Sequence, residues 1–102
     1  MSKRLALLAA VLLALCLTAW AGGKSWTGTV SDSHCGTKHA EASDAAAGCV
    51  ESCVKGGAKY VLVADGKVYQ LEPQDKFKGK GGKTIKVTGE MKDMTITAAS
   101  VE

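Results

Sequence analysis

Five short stretches of the chain are rich in apolar and β-branched residues, and in the first of them, residues 24–30, apolar and polar positions alternate. This period of two residues is typical of half-buried β-strands. The first stretch places Trp26, Gly28 and Val30 on one face, and a later Asp65-Gly66 pair between two β-rich stretches predicts a tight hairpin. The predicted strands cover residues 24–30, 58–64, 67–71, 83–91 and 94–101.

One segment breaks the alternation and predicts a short helix. Ser43 or Asp44 is a favourable N-cap before a run of alanines. The helix is expected to continue to about Lys55, because Gly56 and Gly57 follow as a stop signal. The helix would therefore lie between the first and second predicted strands.

The remaining connections are less regular. Residues 34–42 predict a loop or a single helical turn, since Gly36 interrupts them. Residues 72–82 are expected to place Phe77 in the core, and the glycines and lysines that follow it predict a flexible, solvated turn. The order of these elements favours a mostly β fold, a small five-stranded OB-like barrel with one short helix inserted after the first strand.

Residues 1–21 have the pattern of a secretory signal peptide. A basic start precedes an apolar run over residues 5–17, which is too short to span a bilayer comfortably. Small residues at Ala19 and Ala21 predict cleavage after Ala21. The chain is therefore predicted to be exported, to the periplasm or the extracellular space, with residues 22–102 as a single domain.

Cys16 raises a minor alternative, because a lipoprotein signal ends just before a cysteine that becomes acylated. The preceding residue, Leu15, is bulky where that cleavage needs a small side chain. We therefore interpret Cys16 as one more apolar residue of the signal peptide.

The charge of the chain argues against two classes of partner. The 13 basic and 10 acidic side chains give a net charge of +3, and Lys3 and Arg4 belong to the predicted signal peptide. A nearly neutral mature domain has no electrostatic footprint for nucleic acid or for an anionic membrane surface. We expect a monomer with no transmembrane span after signal cleavage, and the sequence indicates no particular partner.

Residues 32–55 hold both histidines and three of the four cysteines. Cys35 and His39 are four residues apart, and so are Cys49 and Cys53, so each pair can present both side chains on one side of a helical turn. Three thiolates and one imidazole suit a tetrahedral site for Zn or Cu. The predicted metal ligands are Cys35, His39, Cys49 and Cys53, with His34 as an alternative to His39.

Three acidic residues, Asp32, Glu41 and Asp44, lie near the histidines in the sequence. A carboxylate that accepts a hydrogen bond from a ligating imidazole fixes the orientation of the ring. We predict this supporting role for them. No pair of catalytic carboxylates is recognisable in the chain.

A disulfide is the alternative to a metal site, because three cysteines in an exported protein can form one bridge and leave one thiol. A bridge from Cys35 to Cys49 or to Cys53 would tie the end of the first strand to the helix. A bridge within the helix, between Cys49 and Cys53, has poorer geometry. Closing a loop of roughly 15–20 residues would contribute about 3 kcal/mol in the chain-entropy model.

An enzyme is not predicted. The chain has no Cys-x-x-Cys motif, and a cysteine near a histidine easily imitates a nucleophilic pair. The predicted function is a small exported binding domain with a Zn or Cu site. The alternative is a disulfide-stabilised structural or ligand-binding barrel module with no metal.

A resemblance to known proteins rests on the motifs S-D-S-H-C-G-T-K-H, C-V-E-S-C-V-K-G-G-A-K-Y and D-K-F-K-G. With these motifs, nearly all of the mature chain resembles a group of small exported bacterial proteins that carry an uncharacterised domain. The resemblance implies export but no particular activity. The closing stretch K-V-T-G-E-M and T-I-T-A-A-S-V resembles the last strands of small periplasmic OB-fold proteins, which implies the same barrel.

Overall fold

The fold is described by a computed structural model over residues 23–102. The predicted signal peptide and Cys16 lie outside the described residues. Over residues 23–102, no helix is both long and apolar enough to cross a membrane.

Strands make up most of the described chain, with helical segments only in the connections. The strands are β1 (Lys24–Asp32), β2 (Tyr60–Ala64), β3 (Lys67–Glu72), β4 (Thr84–Lys92) and β5 (Thr95–Val101). The helix α1 (Asp44–Lys55) and a 3₁₀ helix (Gly36–His39) lie between β1 and β2, and a second 3₁₀ helix (Gln74–Phe77) lies between β3 and β4.

The strands close into a barrel in the order β1-β2-β3-β5-β4. All neighbouring strands are antiparallel except β3 and β5, which pair in parallel. The predicted mostly β fold, a small OB-like barrel with one helix after the first strand, is confirmed. Strand ends differ from the prediction by one or two residues, and the extension of β1 to Asp32 is the difference that affects the candidate site.

The barrel interior is filled by branched apolar side chains from every strand, and β2 is buried along its whole length. The second 3₁₀ helix adds Phe77, which is fully buried as expected. Tyr60 and Tyr69 are also buried, and Trp26 packs against the core while partly exposed. The apolar strand residues with the lowest exposure, one in each strand, are Val30, Leu62, Leu71, Val87 and Ile96.

The helix α1 rests on the barrel through Ala46 and Val50, which are both buried. Its N-terminus is capped as predicted, since the Ser43 hydroxyl accepts a hydrogen bond from the Ala46 amide at 2.9 Å. Its C-terminus ends before Gly56, also as predicted. The helix is amphipathic, so the side that holds Cys49 and Cys53 stays outside the core.

The glycine-rich connection before β4 does not form the solvated turn that the sequence predicts. Gly81 and Gly82 are buried beneath α1. A Cβ atom at Gly82 would lie 2.2 Å from the Ala47 nitrogen, and its φ of +71° is also one that favours glycine. The Gly82 amide donates to the Val30 carbonyl at 2.8 Å, which holds the connection against β1. The helix packs on the other side of this connection.

Glu51 joins α1 to this connection and to β2. One carboxylate oxygen accepts a hydrogen bond from the Gly81 amide at 3.0 Å, and the other accepts from the Tyr60 hydroxyl at 2.6 Å. Burial, followed by the hydrogen bond to Glu51 and its negative charge, raises the pKa of Tyr60. These contacts fix the rotation of α1 about its axis, and therefore the position of its cysteines.

Candidate metal centre

The site begins at Asp32, the last residue of β1. Its backbone pairs with Tyr60 of β2, so Ser31 and Asp32 continue the strand instead of turning as predicted. The Asp32 side chain is fully buried, and its Oδ1 accepts hydrogen bonds from the amides of His34 at 2.9 Å and Cys35 at 2.8 Å. This Asx turn sets the direction in which Cys35 leaves the strand.

The 3₁₀ helix that follows is held against β1 by hydroxyl groups. Ser31 donates to the Gly36 carbonyl at 2.7 Å, and Thr29 donates to the Ala40 carbonyl at 3.0 Å. Gly36 has a φ of +54°, which lets the chain reverse between Cys35 and the helical turn. As a result His39, at the end of this turn, is brought back beside Asp32 and Cys35.

The other two cysteines come from α1. Cys49 and Cys53 lie one helical turn apart and therefore on the same side of the helix. Cys53 also lines an open depression whose other lining residues are Ser33, His34, Gly56 and Ala58. This depression connects the cysteine side of α1 with solvent.

The sulfur atoms of Cys35, Cys49 and Cys53 lie within 4.8 Å of one another. Cys35 and Cys53 are partly buried, and Cys49 is exposed. All three are free, so within residues 23–102 the structure contains neither disulfide, Cys35 to Cys49 or Cys35 to Cys53, that the sequence offers as an alternative. Cys35 therefore lies close to the two cysteines of α1, as a shared metal site requires.

A second group shares Cys35 with the first. Ligand atoms of Asp32, Cys35 and His39 also lie within 4.8 Å of one another. The four predicted ligands thus divide, because His39 is grouped with Asp32 and Cys35 and not with the two cysteines of α1. Among the described residues, the buried atoms Asp32 Oδ2 and His39 Nε2 have no hydrogen-bond partner.

The surroundings of the thiols oppose their ionisation. Burial raises the pKa of Cys53 from 9.0 to about 11, and the negative charges of Asp32 and the neighbouring cysteines act in the same direction. Burial and the charge of Asp32 likewise raise the pKa of Cys35. In the metal-free protein these two sulfurs are neutral thiols at pH 7, and a bound cation would reverse the balance.

The other candidates of the sequence analysis are not in either group. His34 is exposed on the turn, and Glu41 and Asp44 are exposed beyond it. Asp32 has a larger place than the supporting role predicted for it, since it is a member of a ligand group itself. The sequence signal for this is the Asp-x-x-Cys spacing, in which the aspartate can accept from the cysteine amide.

Compared with models of protein families, with characterised proteins and with solved structures, the chain shows no significant match. The resemblance to small exported bacterial proteins therefore stays a prediction.

Proposed function

We propose that this protein is an exported, non-catalytic domain that binds one soft or borderline transition-metal ion, Zn²⁺ or Cu⁺, through Cys35, Cys49 and Cys53. The observation that carries the proposal is the convergence of three sulfur atoms, from two separate elements, within 4.8 Å. Thiolates are the preferred ligands of Cu⁺ and are common ligands of structural Zn²⁺.

The sulfur positions require only a small contraction to hold an ion. A Zn–S bond of about 2.3 Å places the sulfurs of a tetrahedral site about 3.8 Å apart. Since the free sulfurs already lie within 4.8 Å of one another, side-chain rotations that shorten the sulfur–sulfur distances by about 1 Å close the site. The exposed Cys49 and the open depression beside Cys53 leave a route for the ion.

The electrostatics favour binding over nucleophilic catalysis. A thiol is a nucleophile only as a thiolate, and the raised pKa values of Cys35 and Cys53 keep both sulfurs protonated near neutral pH. Coordination to a cation removes those protons. It would also protect three closely spaced thiols from oxidation in the oxidising compartment predicted for the protein.

The proposal is tested by metal analysis of the full chain, purified under reducing conditions and exposed to Zn²⁺ or Cu⁺. We expect stoichiometric metal at the three-sulfur group, and loss of that metal in the Cys49→Ser/Cys53→Ser double variant. Ser52→Ala, an exposed change on the same helix, is the matched control and should bind as the wild type does.

Thiol counting after denaturation distinguishes the metal site from the disulfide alternative. Protein isolated without reductant should release three titratable thiols from residues 23–102 once the metal is removed. One thiol in place of three, together with no retained metal, would overturn the proposal and indicate a disulfide-stabilised module.

A further inference from the structure

The second ligand group lies where β1 ends and has its own donor chemistry. Asp32 supplies oxygen, Cys35 supplies sulfur, and His39 supplies nitrogen, with the three ligand atoms within 4.8 Å of one another. The backbone fixes the group through the Asx turn at Asp32 and the short 3₁₀ helix that carries His39. It therefore exists independently of the position of α1.

Two buried atoms of this group have nothing to bind within the described chain. Asp32 is fully buried, and while Oδ1 accepts from two backbone amides, Oδ2 has no partner. The Nε2 atom of His39 is buried and also has no partner. Buried polar atoms in folded proteins are nearly always satisfied, so two unsatisfied atoms on two members of the same ligand group indicate a missing ligand.

The charge of the two groups together favours more than one divalent cation. Three thiolates and the carboxylate of Asp32 carry four negative charges when the cysteines are metal-bound. One divalent ion at the three sulfurs would leave the buried carboxylate beside an anionic cluster, which is costly in a poorly solvated site. A second divalent ion neutralises the set.

We propose that Asp32, Cys35 and His39 hold a second divalent ion of the borderline class, such as Zn²⁺, and that the Cys35 thiolate bridges it to the ion at the three-sulfur group. A mixed oxygen, nitrogen and sulfur donor set suits Zn²⁺ and its spectroscopic substitute Co²⁺ better than Cu⁺. The bridge rests on the proposed function, because it presumes that the first ion is bound.

The test is titration of the full chain with Co²⁺ and with Zn²⁺, followed by visible absorption and by equilibrium dialysis. Wild-type protein should bind two equivalents. His39→Gln and Asp32→Asn should each bind one, with affinity for the second ion reduced by more than the roughly 10–100-fold that loss of an outer hydrogen-bond partner produces. Asp32→Asn keeps Oδ1 as an acceptor for the turn, and His39→Gln serves if that variant does not fold.

Two further variants separate this proposal from the proposed function. Cys49→Ser/Cys53→Ser should keep one equivalent at the second site, and His34→Gln, a change at an exposed histidine, should keep two. If Cys35 bridges the ions, the Co²⁺ electron paramagnetic resonance signal per ion should fall on addition of the second equivalent, because the spins couple through the shared sulfur.

The number of metal equivalents bound by the wild type and the variants distinguishes failure of the second site from failure of the proposed function. One equivalent in the wild type that His39→Gln retains would overturn the second site and leave the proposed function intact. One equivalent that His39→Gln loses and the double serine variant retains would overturn the proposed function instead. One equivalent lost in both variants would indicate a single mixed site, and would overturn the two-ion arrangement.

Discussion

The two sides of α1 differ in how completely the protein satisfies their polar groups. On the barrel side, Ala46 and Val50 are buried in apolar surroundings, and both oxygens of Glu51 accept hydrogen bonds. On the cysteine side, the sulfurs of Cys49 and Cys53 lie within 4.8 Å of that of Cys35 with no disulfide among them, and two buried atoms, Asp32 Oδ2 and His39 Nε2, lack hydrogen-bond partners. The polar groups of the first side are satisfied by the protein itself. The second side has unpaired ligand atoms, as a metal site does before the ion binds.

The residues that place the site are therefore different from those that would bind the ion. The barrel side fixes α1 with packing and hydrogen bonds that need no ligand. The cysteine side therefore inherits its geometry before any ion arrives, which is the condition for a preorganised site. Variants on the barrel side should act on stability and reach the metal only by moving α1, whereas variants on the cysteine side should act on metal binding directly.

The largest effect on the barrel side is expected for Gly82→Ala. The new Cβ would meet the Ala47 backbone at 2.2 Å, at a φ of +71°, so α1 must move. The left-handed conformation alone costs about 1–2 kcal/mol, and displacement of the helix should raise the loss in unfolding free energy above about 3 kcal/mol. Because α1 carries Cys49 and Cys53, metal binding should weaken as well. Denaturant unfolding and metal titration measure the two effects.

Gly79→Ala is the control for this variant. Its φ of +74° is almost the same, but its Cβ would meet nothing within 4 Å. The expected loss is only the conformational cost of about 1–2 kcal/mol, with metal binding unchanged. Equal losses in both alanine variants would show that the contact between Gly82 and α1 is not important for stability.

The next effect is the pH dependence of metal binding on the cysteine side. The raised pKa values of Cys35 and Cys53 mean that both thiols must release a proton when the ion binds. At pH values below the thiol pKa values, the apparent affinity for the metal should therefore rise by at least about 100-fold for each unit by which the pH is raised. Each of the two released protons contributes one factor of ten. Competition with a chelator between pH 6 and pH 8 measures the slope, and a slope near zero would contradict coordination by these sulfurs.

In the metal-free protein, folding stability should fall as the pH rises, whereas metal affinity rises. Because the pKa of Cys53 is higher in the folded state than its ordinary 9.0, folding stability from this thiol is complete below pH 9 and is lost as the pH rises towards 11. Unfolding by denaturant at increasing pH, in the presence of a chelator, follows this loss. In the Cys53→Ala variant, the part of the stability loss that comes from this thiol should be absent.

The sequence predicts local structure well and long-range burial poorly. The ends of α1 follow from Ser43 and Gly56, because capping depends on residues within one turn of the helix. The closeness of Cys35 to the helix follows from the short chain between them. The burial of Asp32 does not, since it depends on the pairing of β1 with β2, a contact between distant parts of the chain.

The glycine-rich connection shows the same limit from the other direction. Its composition is that of an exposed turn, yet Gly81 is buried because α1 approaches the backbone where a side chain is lacking. Glycine permits both close packing and flexibility, and only the tertiary neighbour decides between them. The division of the predicted ligands into two groups is likewise a property of the folded turn and is not encoded in the four-residue spacing.

A smaller effect is expected for Tyr60→Phe on the barrel side. The variant removes the 2.6 Å hydrogen bond to Glu51 but keeps the buried ring. A hydrogen bond to a charged group contributes about 1.5–3 kcal/mol, and Glu51 keeps its second bond, to the Gly81 amide, so a loss near the lower end is expected. Chemical unfolding measures it, with metal stoichiometry as the second measurement. Loss of the metal at unchanged stability would show that the two sides of α1 are not separate.

The smallest effect is expected for His34→Ala, which tests the alternative ligand offered by the sequence. His34 is exposed and belongs to neither ligand group, and its amide, not its ring, contacts Asp32. The substitution should change unfolding free energy by less than about 0.5 kcal/mol and leave both metal equivalents in place. His39→Ala is the matched comparison, because it removes the partly buried imidazole beside Asp32. If His34→Ala lost an ion and His39→Ala did not, the ring beside the open depression at Cys53 would be the true nitrogen ligand.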